Sequence, residues 1–395
     1  MKKYSEGFYT LMSEAGILSR ASFDAYLKDV IGFGNSQALN LDGFSFEPAM
    51  QLNFDYEQIQ IENRIKVMAT YTDKDSEAIP FGTKGFTTSR GVIPRQKARF
   101  LMDEDDYRKY LSVARDLDIQ GQSTKNYALD VLFNSMTDIK DAHITSMTYQ
   151  RDQMVSNRSL TLSAANNPRG IKGLTFSASV PSENVTTLTG DYRWWTDADK
   201  TQQGSASNPV KDMRDIVRAM KRKGYTTITV EVDEVSFLQD MDHTAWRTAI
   251  GYYMQPSLRQ TASNDANAQA VANLASDEQL KAAFKAIIDV AEVKYKQGLV
   301  GIEKLDNDTK ELVRVPFRSF NANTYVFYPS GPLGTIKVVS PLTPDSTAMY
   351  GRFLGGRGII QYEYDAKHKV QDWWSEFTGL CVPNRVYEMY YLITK

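Results

Sequence analysis

The stretch DEDDYRKYLSVARDLDIQGQSTKNYALDVLFNSMTDIKDAHITSMTYQRDQMVSNR, residues 103–158, decides how the rest of the chain is read. It is the longest run with helical apolar spacing, and it separates two unlike halves. Tyr107, Tyr110, Leu111, Ala114 and Leu117 recur at steps of three and four; after an interruption Ala128, Leu132, Ser135, Met136, Ile139 and His143 do the same. Gly121 sits in the interruption, and a glycine inside a helix costs roughly 1 kcal/mol against alanine. Periodicity fits one long helix bent at Gly121 and two core helices joined by a loop equally well.

Working outward toward the N-terminus, residues 1–58 hold short amphipathic pieces (Phe8, Leu11, Met12, then Phe23, Tyr26, Leu27, Val30) broken by five glycines, Gly7, Gly16, Gly32, Gly34 and Gly43. Such a segment has little contiguous apolar surface. It reads as an arm lying across the body or a neighbour, or as a small helical cap on its own domain. From 59 to 102 the period switches to two: Ile59, Ile61, Ile65, Val67 and Ala69 alternate with polar residues, and 92–102 form a second extended run. Between the runs lies a polar, glycine-studded loop with Asp73, Lys74, Asp75, Glu77, Lys84 and Arg90. A two-stranded ribbon is marginal in water, so this projection needs a surface to lie on, either a partner's or its own core.

On the C-terminal side, 159–190 read as short strands and turns around Asn167-Pro168-Arg169-Gly170. Trp194 and Trp195 form an aromatic cluster read as a packing anchor rather than a ligand platform, and Trp373 and Trp374 are read the same way. Asn208 before Pro209, the stripe Met213, Ile216, Val217, Met220, and Gly224 at the end mark a helix. Lys221, Arg222 and Lys223 complement its C-terminal dipole. A strand over 227–232, one helix over 233–253, an exposed loop or weak helix over 256–274, and a helix opened by the capping box Ser276-Asp277-Glu278-Gln279 and ending near Gly298 should follow. Strands are expected at 299–305, 313–317, 324–328, 334–339 and 359–364, with a turn at Asp306-Asn307-Asp308 and an aromatic strand around 386–393.

Chemistry is sparse. The three histidines, His143, His243 and His368, lie far apart in sequence. Asp240, Asp242 and His243 sit on an expected helix, where i, i+2 spacing points side chains apart and argues against a metal. Cys381, the one cysteine, excludes an intramolecular disulfide and has no histidine nearby in sequence. Gly351, Gly355, Gly356 and Gly358 with Arg352 and Arg357 lack the spacing of a phosphate-binding loop and read as turn glycines. No catalytic, cofactor or metal site is expected. Lys plus Arg total 46 against 48 Asp plus Glu, so no basic surplus points to nucleic-acid binding. At 42% hydrophobic residues the chain can build cores. Without an apolar leader or an apolar run of membrane-spanning length, a soluble cytoplasmic product is the expectation. An arm and a ribbon that cannot cover their own surfaces point toward assembly.

In this order of elements the chain resembles the major capsid proteins of tailed double-stranded DNA phages, the HK-ninety-seven fold, and within it the lambda-like group. The resemblance is carried by Tyr192 through the helix to Gly224, by ITVEVDEVSFL (228–238), by the helix of 276–295 with its strand, Asp-Asn turn and strand, and by Glu376-Phe377-Thr378 with Val382-Pro383-Asn384. It covers most of the chain from Ile59 onward. It implies an α+β class with an N-terminal arm (1–58), an extended β-hairpin loop with flanking strands (59–102), a peripheral domain (103–224) with a spine helix (103–158) bent at Gly121, an axial domain (225–340), and a C-terminal return to the peripheral domain (341–395).

The resemblance further implies that the loop residues Asp73, Lys74, Asp75, Glu77, Lys84 and Arg90 contact neighbouring subunits. The chain would self-assemble into hexamers and pentamers of an icosahedral head, passing through a procapsid in the host bacterial cytoplasm. Scaffold, portal and decoration proteins would be its further partners. The shell would enclose double-stranded DNA without sequence-specific binding, and a mildly acidic chain suits that task. Some members crosslink through a loop lysine, for which Lys74 and Lys84 are placed, although the lambda-like group is not expected to. Two alternatives remain: a nanocompartment shell of the same fold, and an enzyme using Asp242, His243 or the glycine-arginine loop.

Overall fold

A computed structural model of the chain describes residues 41–61, 86–102, 105, 108–109, 112, 124–260, 264–306, 312–343, 349–365 and 370–394. The class is α+β. In chain order the elements begin with β1 (Phe44–Phe46), β2 (Asp55–Ile61), β3 (Phe86–Val92) and β4 (Arg95–Met102). The long helix α1 (Thr124–Ser156) and three short strands, β5 (Ser159–Thr161), β6 (Thr175–Ser177) and β7 (Val185–Thr187), come next. Then follow α2 (Pro209–Arg222), β8 (Ile228–Asp233), α3 (Glu234–Asp240), α4 (Thr244–Met254), α5 (Asp265–Asn273) and α6 (Asp277–Ile288). The last part holds β9 (Glu292–Lys296), β10 (Leu299–Leu305), β11 (Leu312–Arg318), β12 (Thr324–Pro329), β13 (Gly334–Val338), β14 (Met349–Phe353), β15 (Gly358–Asp365), β16 (Val370–Pro383) and β17 (Tyr390–Ile393).

The chain divides into two compact units, each built from separated segments. The first takes the described residues of Met1–Tyr56, Arg90–Gln150 and Gly334–Val382; the second takes those of Glu57–Ser89, Arg151–Leu333 and Pro383–Lys395. The divisions fall at 56/57, 89/90, 150/151, 333/334 and 382/383. In the second unit Met213, Ile216, Val217 and Met220 of α2 pack in one cluster with Val230 and Val232 of β8.

At 33 residues, α1 is about 50 Å long by the rise of an α-helix. Ile139, His143 and Met147, spaced by four, are buried in the first unit, and Arg151, Met154 and Val155 are buried in the second. Asn157 N–H still bonds to the Gln153 carbonyl, and Arg158 then turns left-handed at φ 62°, which ends the helix. Asp105, Arg108, Lys109 and Ser112 also have helical backbone, while Gly121 lies outside the described residues.

In the first unit β16 is the backbone of a six-stranded sheet ordered β1-β13-β16-β15-β14, with β4 also pairing to β16. The β4–β16 register is antiparallel and sets Arg99 opposite Trp374 and Lys97 opposite Glu376. Its outward side carries an ion-pair ladder: Arg99 Nη2 to Asp372 Oδ2 at 2.7 Å, Arg95 Nε to Glu376 Oε1 at 3.2 Å, and Lys97 Nζ to Glu376 Oε2 at 3.8 Å. The inward side meets α1, where His143 Nε2 lies 2.7 Å from Ser375 Oγ and its ring stacks on Phe353. Gly334 is required where β13 pairs in parallel with β1: an added Cβ would come within 2.4 Å of the Phe44 ring and the Val382 carbonyl. The glycines around 355 form a hairpin turn between β14 and β15, with positive φ at Leu354, Gly355 and Gly356.

The second unit holds the five-stranded mixed sheet β7-β17-β12-β8-β9. β8 and β12 are buried along their whole lengths. On one face Val230, Val232, Tyr325 and Phe327 pack against Trp246, Phe284 and the α2 stripe. Asn208 caps α2 by accepting from Lys211 N–H, and Ser276 with Gln279 completes the capping box of α6, both where sequence placed them.

Two expectations here are corrected. The helix expected over 233–253 is two helices, because Asp233 and His243 each cap a separate start. The helix expected to reach Gly298 ends at Ile288: Asp289 is left-handed, and 292–296 then pair in parallel with β8 as β9. Of the two readings of 256–274, loop or helix, the helical one holds for α5, with Ala268 and Ala272 buried. An added Cβ on Gly251 would lie 1.9 Å from the Ala268 carbonyl, so only glycine allows α4 and α5 to approach this closely.

Candidate functional site

Of the loop residues singled out by sequence, Asp73, Lys74, Asp75, Glu77 and Lys84 lie outside the described residues, and Arg90 is exposed on β3. Of the tryptophans read as packing anchors, Trp194 and Trp195 lie in the second unit and Trp373 and Trp374 in the first. Trp194 is fully buried, its indole N–H donating to Asp212 Oδ2 at 3.0 Å and its ring 5.4 Å from Tyr325. Trp195, also buried, donates to Asp240 Oδ1 at 2.9 Å. In the first unit Trp373 is buried 4.4 Å from Tyr362, and Trp374 is half-buried with Lys97 over its ring.

A dense polar site that the sequence did not suggest lies at β8 in the second unit. Arg151, in the last turns of α1, donates to both oxygens of Glu231 at 2.5 Å and to Asp152 Oδ1 at 3.0 Å. The Tyr328 hydroxyl donates to Glu231, and Lys296 Nζ lies 3.9 Å from Asp152. Arg151, Asp152 and Glu231 are each 2% exposed or less. Burial opposes ionisation of Glu231, but the Arg151 guanidinium outweighs it and holds the carboxyl below its usual range. This is a two-pronged charge-assisted lock between the end of the long helix and the central sheet. In ITVEVD, Glu231 has the alternation of a solvent-facing residue; Arg151, eighty positions earlier, is the partner that makes its burial tolerable.

A second buried carboxylate, Asp240, receives hydrogen bonds from Trp195, Lys200 Nζ (2.6 Å) and the Tyr325 hydroxyl (2.8 Å). Burial raises its pKa against the opposing pull of Lys200. Asp242 instead pairs with Arg247 near the surface.

His243 lies at an open cleft of about 600 Å³ with Ser207, Asn208, Thr244, Tyr252 and Asp265. Its Nδ1 accepts from Ala245 N–H at 3.2 Å, so the neutral ring carries its proton on Nε2 and donates to Ser207 Oγ at 2.9 Å. Ser207 in turn donates to the Gly204 carbonyl at 2.6 Å. A histidine in this tautomer cannot take the serine proton, so the pair caps a helix and does not activate a nucleophile. Burial lowers the His243 pKa to about 4, which keeps the ring neutral at neutral pH.

Among the described residues no group of three or more His, Cys, Asp or Glu side chains could hold a metal, and no helix is long and apolar enough to cross a membrane. Cys381 is buried, with its Sγ 3.6 Å from the Met147 carbonyl. Arg357 lies over the Phe46 ring and donates to the Glu47 carbonyl, and Arg352 donates to Thr343 Oγ1. These arrangements bind the chain to itself.

No protein-family description matches the sequence, and no curated protein matches it. Solved structures do resemble it in fold. A phage-related protein of Bordetella bronchiseptica RB50 is 11% identical, with a TM-score of 0.44 over 92% of this chain and 94% of that one. The capsid of cyanophage P-SCSP1u gives 8% identity and a TM-score of 0.44 over 87% and 84% of the two chains. The capsid of Staphylococcus phage Andhra gives 11% and 0.41 over 91% and 84%. At these identities and TM-scores the likeness carries no functional argument by itself.

Proposed function

We propose that this chain is a structural shell subunit, the major capsid protein of a tailed double-stranded DNA phage head of the HK-ninety-seven type, in the lambda-like group. The observation that carries the reading is the threading of the chain. Paired strands β2 and β3 flank residues 62–85, β4 joins the central strand of the first unit, and a 33-residue helix then runs into the second unit. Late in the chain 334–382 return to the first unit and 383–395 to the second. That order is the one the sequence resemblance implies for this family.

In this reading residues 103–224 with the return of 341–395 form the peripheral domain, residues 225–340 form the axial domain, and the spine helix of 103–158, which contains α1, bends at Gly121. The loop with Asp73, Lys74, Asp75, Glu77, Lys84 and Arg90 reaches neighbouring subunits. The chain forms hexamers and pentamers, meets scaffold, portal and decoration proteins, and matures from a procapsid. It is not an enzyme. The buried ionisable groups support this, since the described ones are engaged in holding helices and strands.

Negative-stain microscopy of the purified chain, alone and with its neighbouring gene products, tests the proposal. Closed shells, capsomers or tubes are expected. A monomer under every condition overturns it, and shells co-purifying with an enzyme in place of DNA would reassign it to a nanocompartment. Deleting 73–90 should leave a folded monomer that no longer assembles.

A further inference from the structure

The ribbon β10–β11 pairs with no other described strand. Its antiparallel register sets Val300, Ile302 and Lys304 opposite Phe317, Val315 and Val313 on one side, and Gly301 and Glu303 opposite Pro316 and Arg314 on the other. The other side carries Leu299, 66% exposed, opposite Arg318, and its charges pair within the unit: Arg314 Nε lies 3.6 Å and Arg169 Nη1 3.5 Å from Glu303, and Arg318 at the base lies 3.0 Å from Asp233. The apolar side is closed only near the base, where Val300 is 8% exposed; Val313 is 43% exposed, and Ile302, Lys304 and Val315 are half-buried. A two-stranded ribbon is marginal unless its apolar side is covered.

The same unit carries a surface of complementary chemistry. Leu274 is 89% exposed just before the capping box of α6, and Asp277 and Glu278 stand exposed in the first turn of that helix. The ribbon offers an apolar strip with one cation; the helix start offers an apolar knob flanked by two carboxylates.

We propose that the apolar side of β10–β11 docks on the start of α6 in a second copy of this chain, with Leu274 against Val313 and Val315 and Lys304 beside Asp277 and Glu278. The two surfaces differ, so the contact is head-to-tail and repeats from copy to copy, the kind of contact that closes rings. The inference rests on the shell-subunit reading and names one of its contacts.

Because the one native cysteine is buried, paired Leu274→Cys and Val313→Cys substitutions can report proximity. Oxidised assemblies of the double variant should give a ladder of linked multimers on a non-reducing gel, absent from either single variant and from reduced samples. A double variant that assembles but stays at monomer mass overturns the contact and leaves the shell reading standing. If the wild-type chain never assembles, both fall. In an independent arm, Lys304→Glu should raise the concentration needed for assembly about tenfold or more, and adding Glu278→Lys should recover it. A swap that recovers nothing overturns the pairing.

Discussion

Two of the pairs in which arginine meets carboxylate in this protein, Arg151–Glu231 and Arg99–Asp372, differ in almost everything but their chemistry. Under β8, Arg151 and Glu231 meet with neither side chain more than 1% exposed. On the outside of β4 and β16, Arg99 meets Asp372 with the arginine side chain 59% exposed. Water screens the second pair, and its removal changes little. The first has lost its water entirely and depends on its partner and on Tyr328 to tolerate burial. Two bidentate arginine–carboxylate pairs are therefore unequal: the buried one locks the end of α1 to the sheet, while the exposed ladder decorates the outer side of a strand pair.

The most damaging way to break this comparison is Arg151→Ala. It leaves Glu231 buried without a counter-charge, and the expected loss is about 3–5 kcal/mol in a chemical denaturation curve. Arg151→Met with Glu231→Leu removes both charges and should recover most of that loss; if it does not, the lock contributes more than mutual neutralisation.

The next effect is acid-dependent. His143 is buried between α1 and β16, and burial lowers its pKa to about 4 from the ordinary 6.5. The unfolded chain therefore takes up this proton first as pH falls. Stability from the neutral ring is complete above about pH 6.5 and declines as pH approaches 4, by on the order of 3 kcal/mol. His243 acts in the same direction. Denaturation midpoints measured from pH 7 to 4 should fall for the wild type and fall less steeply for His143→Phe; parallel slopes would contradict the assignment.

The smallest effect is expected from Arg99→Ala on the exposed ladder. Its midpoint should lie near the wild type's, and moderate salt should erase any difference. A loss comparable to that of Arg151→Ala would mean that exposure does not decide the worth of these pairs.

The same contrast explains what could be read from the sequence. Local signals were legible: Asn208-Pro209 and Ser276 to Gln279 cap the helices they were expected to cap, and the stripe from Met213 to Met220 is the buried one. Effects that depend on distant residues were not. Glu231 looks solvent-facing until Arg151 is placed beside it. Glu292 to Lys296 continue a helical pattern until β8 offers a parallel neighbour. Gly251 looks like a weak point in a helix until the Ala268 backbone arrives against it. The split at Met241 and Asp242 hinges on His243 acting as a cap, a role rarely assigned to histidine from sequence. The candidate inter-subunit loop was visible only as period-two strands flanking a polar glycine-rich stretch. β2 and β3 pair as that pattern predicts, while residues 62–85 lie outside those described.

The proposed closed shell is tested by sedimentation velocity on the purified full chain over a wide concentration range. A chain that builds such shells should give a fast boundary of closed particles of uniform size, in exchange with ring-sized assemblies at lower concentration. A single boundary at the mass of one chain, at every concentration and with neighbouring gene products present, would overturn the proposal.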